Sequence, residues 1–278
     1  MPNLQPGASD PYWNEWFIGL EYVLDLLDDS KGIQKVIFQA EGIQGVDDLI
    51  IVHDASIIEG IQVKYVRKET KNQHLTFSDV VKPDGKGLIT SISKGWKQLN
   101  DTEGLSGKCC LLTNNTVSTI GAVRIKNGVR HEYLSLYDFW EQVKKNLDAA
   151  TSISDMLFFG DMDEQWKEFI EAIDLSEHEK LSFLKSLEIS SIRESFDDHI
   201  PIIHQKLITL FRCDAGIAEN LYRALLAQLP TWTSTKQAGR PISRENVLHA
   251  LSVVEKPDVQ LAVMIPQPFL PSRETPKY

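Results

Sequence analysis

Two carboxylates, an amide and an amine stand close together at Asp47, Asp48, Gln62 and Lys64. The residues between them are apolar and β-branched at Leu49–Val52 and again at Ile61–Val63. Such runs predict two strands, with His53–Gly60 supplying the connection. Side chains on a strand alternate between faces. Gln62 and Lys64 therefore share a face, Asp48 shares one with Ile50 and Val52, and Asp47 takes the opposite one. Antiparallel pairing can bring a carboxylate, an amide oxygen and an ammonium together. That set suits metal-assisted phosphodiester hydrolysis. Carboxylate and amide oxygens are hard ligands for Mg²⁺, which keeps several waters and also touches phosphate. The ion makes hydroxide available and stabilises the leaving oxygen, and the ammonium can orient the attacking water and offset charge on the pentacovalent phosphorus. The plainer alternative is a turn at Asp-Asp and the wet face of an edge strand at Gln-x-Lys. A one-residue register shift swaps the faces of Asp47 and Asp48, so the spacing leaves the choice between them open.

The elements that must position this set begin with a helix over Tyr12–Asp29. Trp16, Leu20, Val23 and Leu27 recur on it at helical spacing, and Trp13, Phe17, Ile18 and Leu24 widen the apolar face. It carries Glu15 and Glu21. Ser30–Gly32 breaks the helix. Gln34–Ala40 reads as a first strand, and Glu41 at its end is a further candidate ligand. After the proposed active strand, Val66–Phe77 is a polar, basic loop. Leu88–Leu99 is helical, with Leu88, Ile89, Ile92, Trp96 and Leu99 as its apolar side. Lys108–Thr113 is a short apolar strand, and a right-handed crossover from the third strand through this helix can reach it. Gly121–Ile125 is a candidate strand of a hairpin.

An acidic residue on a first helix, then Asp48, then Gln62-Val63-Lys64 resembles the PD-(D/E)xK restriction-endonuclease-like superfamily, in which Gln-x-Lys is a known variant ending. More narrowly, residues 10–115 resemble the double-stranded DNA endonuclease domain of CD-NTase-associated and STAND-type antiphage effectors. The residues that match are the helix Tyr12–Leu27, Glu41 with Asp47-Asp48, Ile61–Lys64 and Leu75–Asp79. No Pro-Asp dipeptide precedes the second strand, a departure from the family pattern. The resemblance implies an α/β fold with a restriction-endonuclease-like core of helix, three strands, helix and strand, followed by a mostly helical second half. It implies a metal-dependent endonuclease with Asp48, Gln62 and Lys64 catalytic, and with Asp48, Gln62, Glu15 and Glu41 as metal ligands. The ion is Mg²⁺, with Mn²⁺ as a substitute. Implied partners are double-stranded DNA and either further copies of the chain or a sensor or NTPase component that switches it on. A catalytically inactive nuclease-fold scaffold or nucleic-acid-binding module is the alternative.

The 278 residues carry a net charge of −10, which argues against nucleic-acid binding by bulk charge. Residues 60–98 run the other way, with eight basic and three acidic side chains. Arg67, Lys68, Lys71, Lys94 and Lys97 in that stretch are candidates for tracking a phosphate backbone. Cys109, Cys110 and Cys213 have no spacing that suggests zinc or a disulfide framework. With no signal-like start and no apolar run of membrane-span length, the expectation is a cytoplasmic protein without membrane contact. The division expected is a nuclease core over 1–134, a helical oligomerisation or regulatory region over 135–254, and a proline-rich tail or linker over 255–278. Ser176 with Glu179 marks a capping box within the helical region. Ile217–Leu229 is a helix that Pro230 stops. In the tail, Leu261–Ile265 is an apolar run suited to an edge strand that pairs with a partner. No P-loop pattern occurs in the chain.

Overall fold

The computed structural model describes residues 10–54, 56–64, 74–82, 85–102, 105–113, 116–126, 128–191, 198–233 and 239–252. Helix α1 (Asp10–Asp25) leads into strands β1 (Ile33–Phe38), β2 (Leu49–His53) and β3 (Ile57–Lys64). A short strand β4 (His74–Leu75) and a single-turn helix α2 (Phe77–Val80) come next, then α3 (Leu88–Asn100) and β5 (Ser106–Thr113). Strand β6 (Thr116–Val117) pairs with β4, and β7 (Ala122–Lys126) with β8 (Val129–Tyr133) forms an antiparallel hairpin. Helices α4 (Leu136–Leu147), α5 (Asp161–Glu171) and α6 (Glu177–Ser186), strand β9 (Leu187–Ser191), and helices α7 (His199–Phe211), α8 (Ala215–Trp232) and α9 (Arg244–Ser252) complete the order.

The chain is a mixed α/β structure built on a five-stranded sheet in the order β1-β2-β3-β5-β9. Strands β1, β2 and β3 are antiparallel neighbours, whereas β5 and β9 run parallel to β3. Each central strand is apolar on both faces because helices cover both faces of the sheet. Ile50, Ile58, Cys109 and Leu111 point into a core shared with α3, α4, α5 and α6. Leu49, Ile51, Ile61, Val63, Cys110 and Leu112 point into a second core shared with α1, α7, α8 and α9. The alternation read from the sequence thus becomes two hydrophobic layers on one sheet.

Three expectations change in detail. The connection after β2 is much shorter than His53–Gly60, because Ile57–Gly60 already belongs to β3. Leu187–Ser191 is a strand inside the region read as helical. Helix α8 runs two residues past Pro230. Helix α7 takes Pro201 in its first turn, where proline is tolerated. The capping box at Ser176 and Glu179 is present, the serine hydroxyl donating to the carboxylate at 2.6 Å.

The second half of the chain adds to the same sheet. Strand β9 forms one edge. At the other edge Val36 and Ile242 exchange backbone hydrogen bonds of 3.0 and 2.8 Å, and the Gly239 N–H donates to the Phe38 carbonyl at 3.2 Å.

Candidate functional site

The register of β2 against β3 decides which side chains meet. Leu49 lies opposite Ile61 and Ile50 opposite Gly60, so one further step back sets Asp48 against Gln62. The Asp48 carboxylate accepts the Val63 backbone N–H at 2.7 Å and also accepts a short hydrogen bond from the Gln62 side-chain amide. Asp48, and not Asp47, is therefore the carboxylate bonded to β3. Gln62 is 7% exposed, and its amide has a charged partner, as a buried polar group requires. The oxygen and nitrogen of such an amide exchange by a flip, so the same side chain can turn an oxygen toward a cation.

Glu15 arrives from a helix on the opposite layer, and Gly19 is what lets it. A β-carbon at Gly19 would lie 2.8 Å from Leu49 Cδ2 and closer still to the Phe38 ring. Only glycine allows α1 to press this near the ends of β1 and β2. Glu15, one turn earlier on α1, then comes close enough to feel the charges at the start of β2. Burial first, then the negative charge of Asp48, pushes Glu15 up to about 8, with Asp47 adding to the rise and Lys64 opposing it. Asp48 is pushed up to about 6, again by burial first; Asp47 adds to this, while the Val63 N–H, Lys64 and Gln62 hold it down.

This electrostatic pattern fits a divalent cation. Two half-buried carboxylates strain to ionise side by side, and a bound cation removes that strain by displacing the proton. Among the described residues no group of three or more His, Cys, Asp or Glu side chains is set to hold an ion. The residues that could hold one are Glu15, Asp48 and, after a flip of its amide, Gln62, with the charge of Lys64 acting on both carboxylates.

The remaining candidates fall elsewhere. Glu41 is exposed beyond the end of β1 and bonds none of these groups. Lys94 pairs with Asp174 at 3.4 Å and Lys97 with Glu179 at 2.9 Å, so both answer acidic neighbours across α3. Arg67, Lys68 and Lys71 lie outside the described residues. Glu21, the other acid on α1, faces α7. Its carboxylate meets His199 Nδ1 at 2.6 Å, and Lys206 Nζ bonds the Glu21 carbonyl at 3.0 Å and Asp25 Oδ1 at 2.7 Å. Sequence reasoning missed the Val63 N–H as the anchor of Asp48, and missed Gly19, whose mark was a glycine within an otherwise apolar helix face.

No protein-family model and no curated protein matches the chain. Among solved structures it is similar to the SAVED/CARF-domain-containing receptor Cap4 of Acinetobacter baumannii. Against that receptor with the cyclic trinucleotide 3'3'3'-cAAA, identity is 10% and the TM-score 0.47, over 91% of this chain and 46% of the receptor. Against the receptor described without a nucleotide, identity is 9% and the TM-score 0.43, over 91% and 48%. The chain spans about half the length of these receptors. Backbone agreement at this level is partial, and no residue role is transferred from it. No described helix is long and apolar enough to cross a membrane.

Proposed function

We propose that the chain is a Mg²⁺-dependent double-stranded DNA endonuclease with a restriction-endonuclease-like core, serving as the effector of an antiphage defence system and switched on by assembly or by a partner sensor. The observation that carries the chemistry is the convergence of Glu15, Asp48, Gln62 and Lys64 from three separate elements. The antiphage setting rests on the resemblance of residues 10–115. Glu15, Asp48 and Gln62 would hold the ion, which supplies Lewis acidity at the scissile phosphate and a water of lowered pKa. Val63 fixes the Asp48 carboxylate through its backbone N–H. Lys64 orients the attacking water and offsets phosphate charge. Burial of the carboxylates keeps the local dielectric low, which strengthens each of these interactions.

One observation favours a second reading, a binding module on the same fold. An amide stands at Gln62 where a third carboxylate would bind the ion more tightly, and no three-acid group occurs among the described residues. The experiment that separates the readings offers supercoiled plasmid and single-stranded RNA to the protein with Mg²⁺ and with EDTA, across a protein titration. Nicking or linearisation of plasmid that EDTA stops, with RNA left intact, supports the endonuclease. Duplex binding without Mg²⁺-dependent cutting at any concentration supports the module, and cleavage of the RNA alone moves the activity to a different substrate.

A further inference from the structure

Among the described residues, every large apolar side chain that stands well exposed lies between residues 120 and 159. Ile120, Val123, Ile125 and Val129 belong to the β7–β8 hairpin or its approach, and Ile125 is 76% exposed. Leu157 and Phe159 come just before α5, and Phe159 is 85% exposed. Asp161, two residues on, meets His131 Nδ1 at 3.0 Å and accepts the Glu132 backbone N–H at 2.9 Å, which sets Phe159 beside β8. Single exposed apolar side chains are ordinary, whereas a group gathered around one element marks a contact surface.

The two faces of the hairpin differ. Arg124 and Lys126 on β7 turn toward Glu168 of α5, at 3.7 and 3.8 Å, and Tyr133 on β8 is buried. That face is anchored to the body of the protein. Val123 lies opposite Glu132 and Ile125 opposite Arg130, so these four share the other face. Arg130 and Glu132 are both exposed and pair with each other at 3.0 Å. The outer face is thus an apolar pair on one strand beside a cation and an anion on the other.

This pattern is complementary to itself. A two-fold axis lying across the strands, midway between the two rows, sets Arg130 of each copy against Glu132 of the other, and Val123 against Ile125. Hairpins stacked face to face in this way sit roughly 10 Å apart, within reach of all four side chains. A nucleic acid finds no such match, because the cations of the inner face are turned to Glu168 and the four residues of the outer face carry no net charge.

We propose that the outer face of the β7–β8 hairpin is a self-association surface that pairs two copies of this chain about a two-fold axis. Association of this kind does not depend on the nuclease reading, since it is measured without DNA or Mg²⁺. The face is small, so the pair belongs among weak interfaces, and sedimentation velocity on the full chain is run from about 1 to about 300 µM. Wild type should dimerise within that range. Arg130→Glu alone and Glu132→Arg alone each set like charges against one another across the axis and should dimerise at least ~10-fold more weakly. An equimolar mixture of the two variants should restore the dimer, because the acidic face of one then meets the basic face of the other. Ile125→Gln, which leaves both charges in place, should weaken the dimer as well. A wild type that stays monomeric throughout overturns the proposal. So does a variant that dimerises as wild type does, or a mixture that forms no more dimer than its two components do alone.

Discussion

Asp48 Oδ2 accepts the backbone N–H of Val63 at 2.7 Å, tying the carboxylate that precedes β2 to the middle residue of the Gln62-Val63-Lys64 strand. The bond holds the carboxylate where its charge is costly, since burial and Asp47 raise its pKa to about 6. Sites arranged for chemistry often give up stability in this way. Asp48→Asn keeps an acceptor for Val63 and removes the charge. The expected outcome at pH 8 is stability equal to or above wild type in urea denaturation, with Mg²⁺-dependent cleavage lowered at least ~100-fold. Asp47→Asn should reduce cleavage far less.

Gly19 governs how near α1 lies to the sheet. Gly19→Val adds carbons where Phe38 and Leu49 already stand. Overpacking of this kind costs about 1–3 kcal/mol, measured as a lower urea midpoint. Because Glu15 rides on the same helix, cleavage should fall by more than the loss of folded protein accounts for.

The stability of the metal-free protein should depend on pH with a definite sign. Glu15 has a folded pKa of about 8, above its ordinary value of 4.5. An acid with a raised folded pKa holds its proton in the native state after the unfolded chain has released it. Its contribution is complete below about 4.5 and is lost as pH rises through about 8; Asp48 acts likewise up to about 6. Denaturation curves between pH 5 and pH 9 in EDTA should show declining stability, and Glu15→Gln should flatten the decline. Added Mg²⁺ should stabilise more at pH 8 than at pH 6, because binding displaces the proton.

Helices α1 and α7 are joined by polar contacts that a purely apolar seam would lack. His199 is 3% exposed and meets Glu21 at 2.6 Å, while Lys206 bonds Asp25. Lys206→Met leaves Asp25 without its partner and should cost about 1–3 kcal/mol, checked by chemical denaturation. Arg130, exposed on β8 and paired at 3.0 Å with the equally exposed Glu132, should tolerate Arg130→Ala with a change below about 0.5 kcal/mol.

Much of the sheet was legible because its strands carry their periodicity openly. Leu49–Val52 and Ile61–Val63 appear as β-branched runs, and their antiparallel pairing follows from a short connection. The acid-amide-lysine set was legible for the same reason, since period two puts Gln62 and Lys64 on one face. Strand β9 was not. Leu-Glu-Ile-Ser-Ser continues directly from α6, with no glycine or proline between them, so its local pattern extends the helix. Parallel pairing with β5, a contact distant in sequence, overrides that preference. The choice between Asp47 and Asp48 was open for a related reason. Register is a property of two strands together, and here the pairing of Leu49 with Ile61 fixes it. The pairing of Lys94 and Lys97 with Asp174 and Glu179 was equally hidden, because those acids belong to a region far along the chain.

The central claim is that Glu15, Asp48, Gln62 and Lys64 form one metal-dependent cleaving site. The most direct measurement compares wild type with Lys64→Ala in Mg²⁺-dependent plasmid cleavage, alongside duplex binding in EDTA. The variant should lose cutting by at least ~100-fold while its duplex affinity stays within about threefold of wild type. Cutting by Lys64→Ala at the wild-type rate would contradict it.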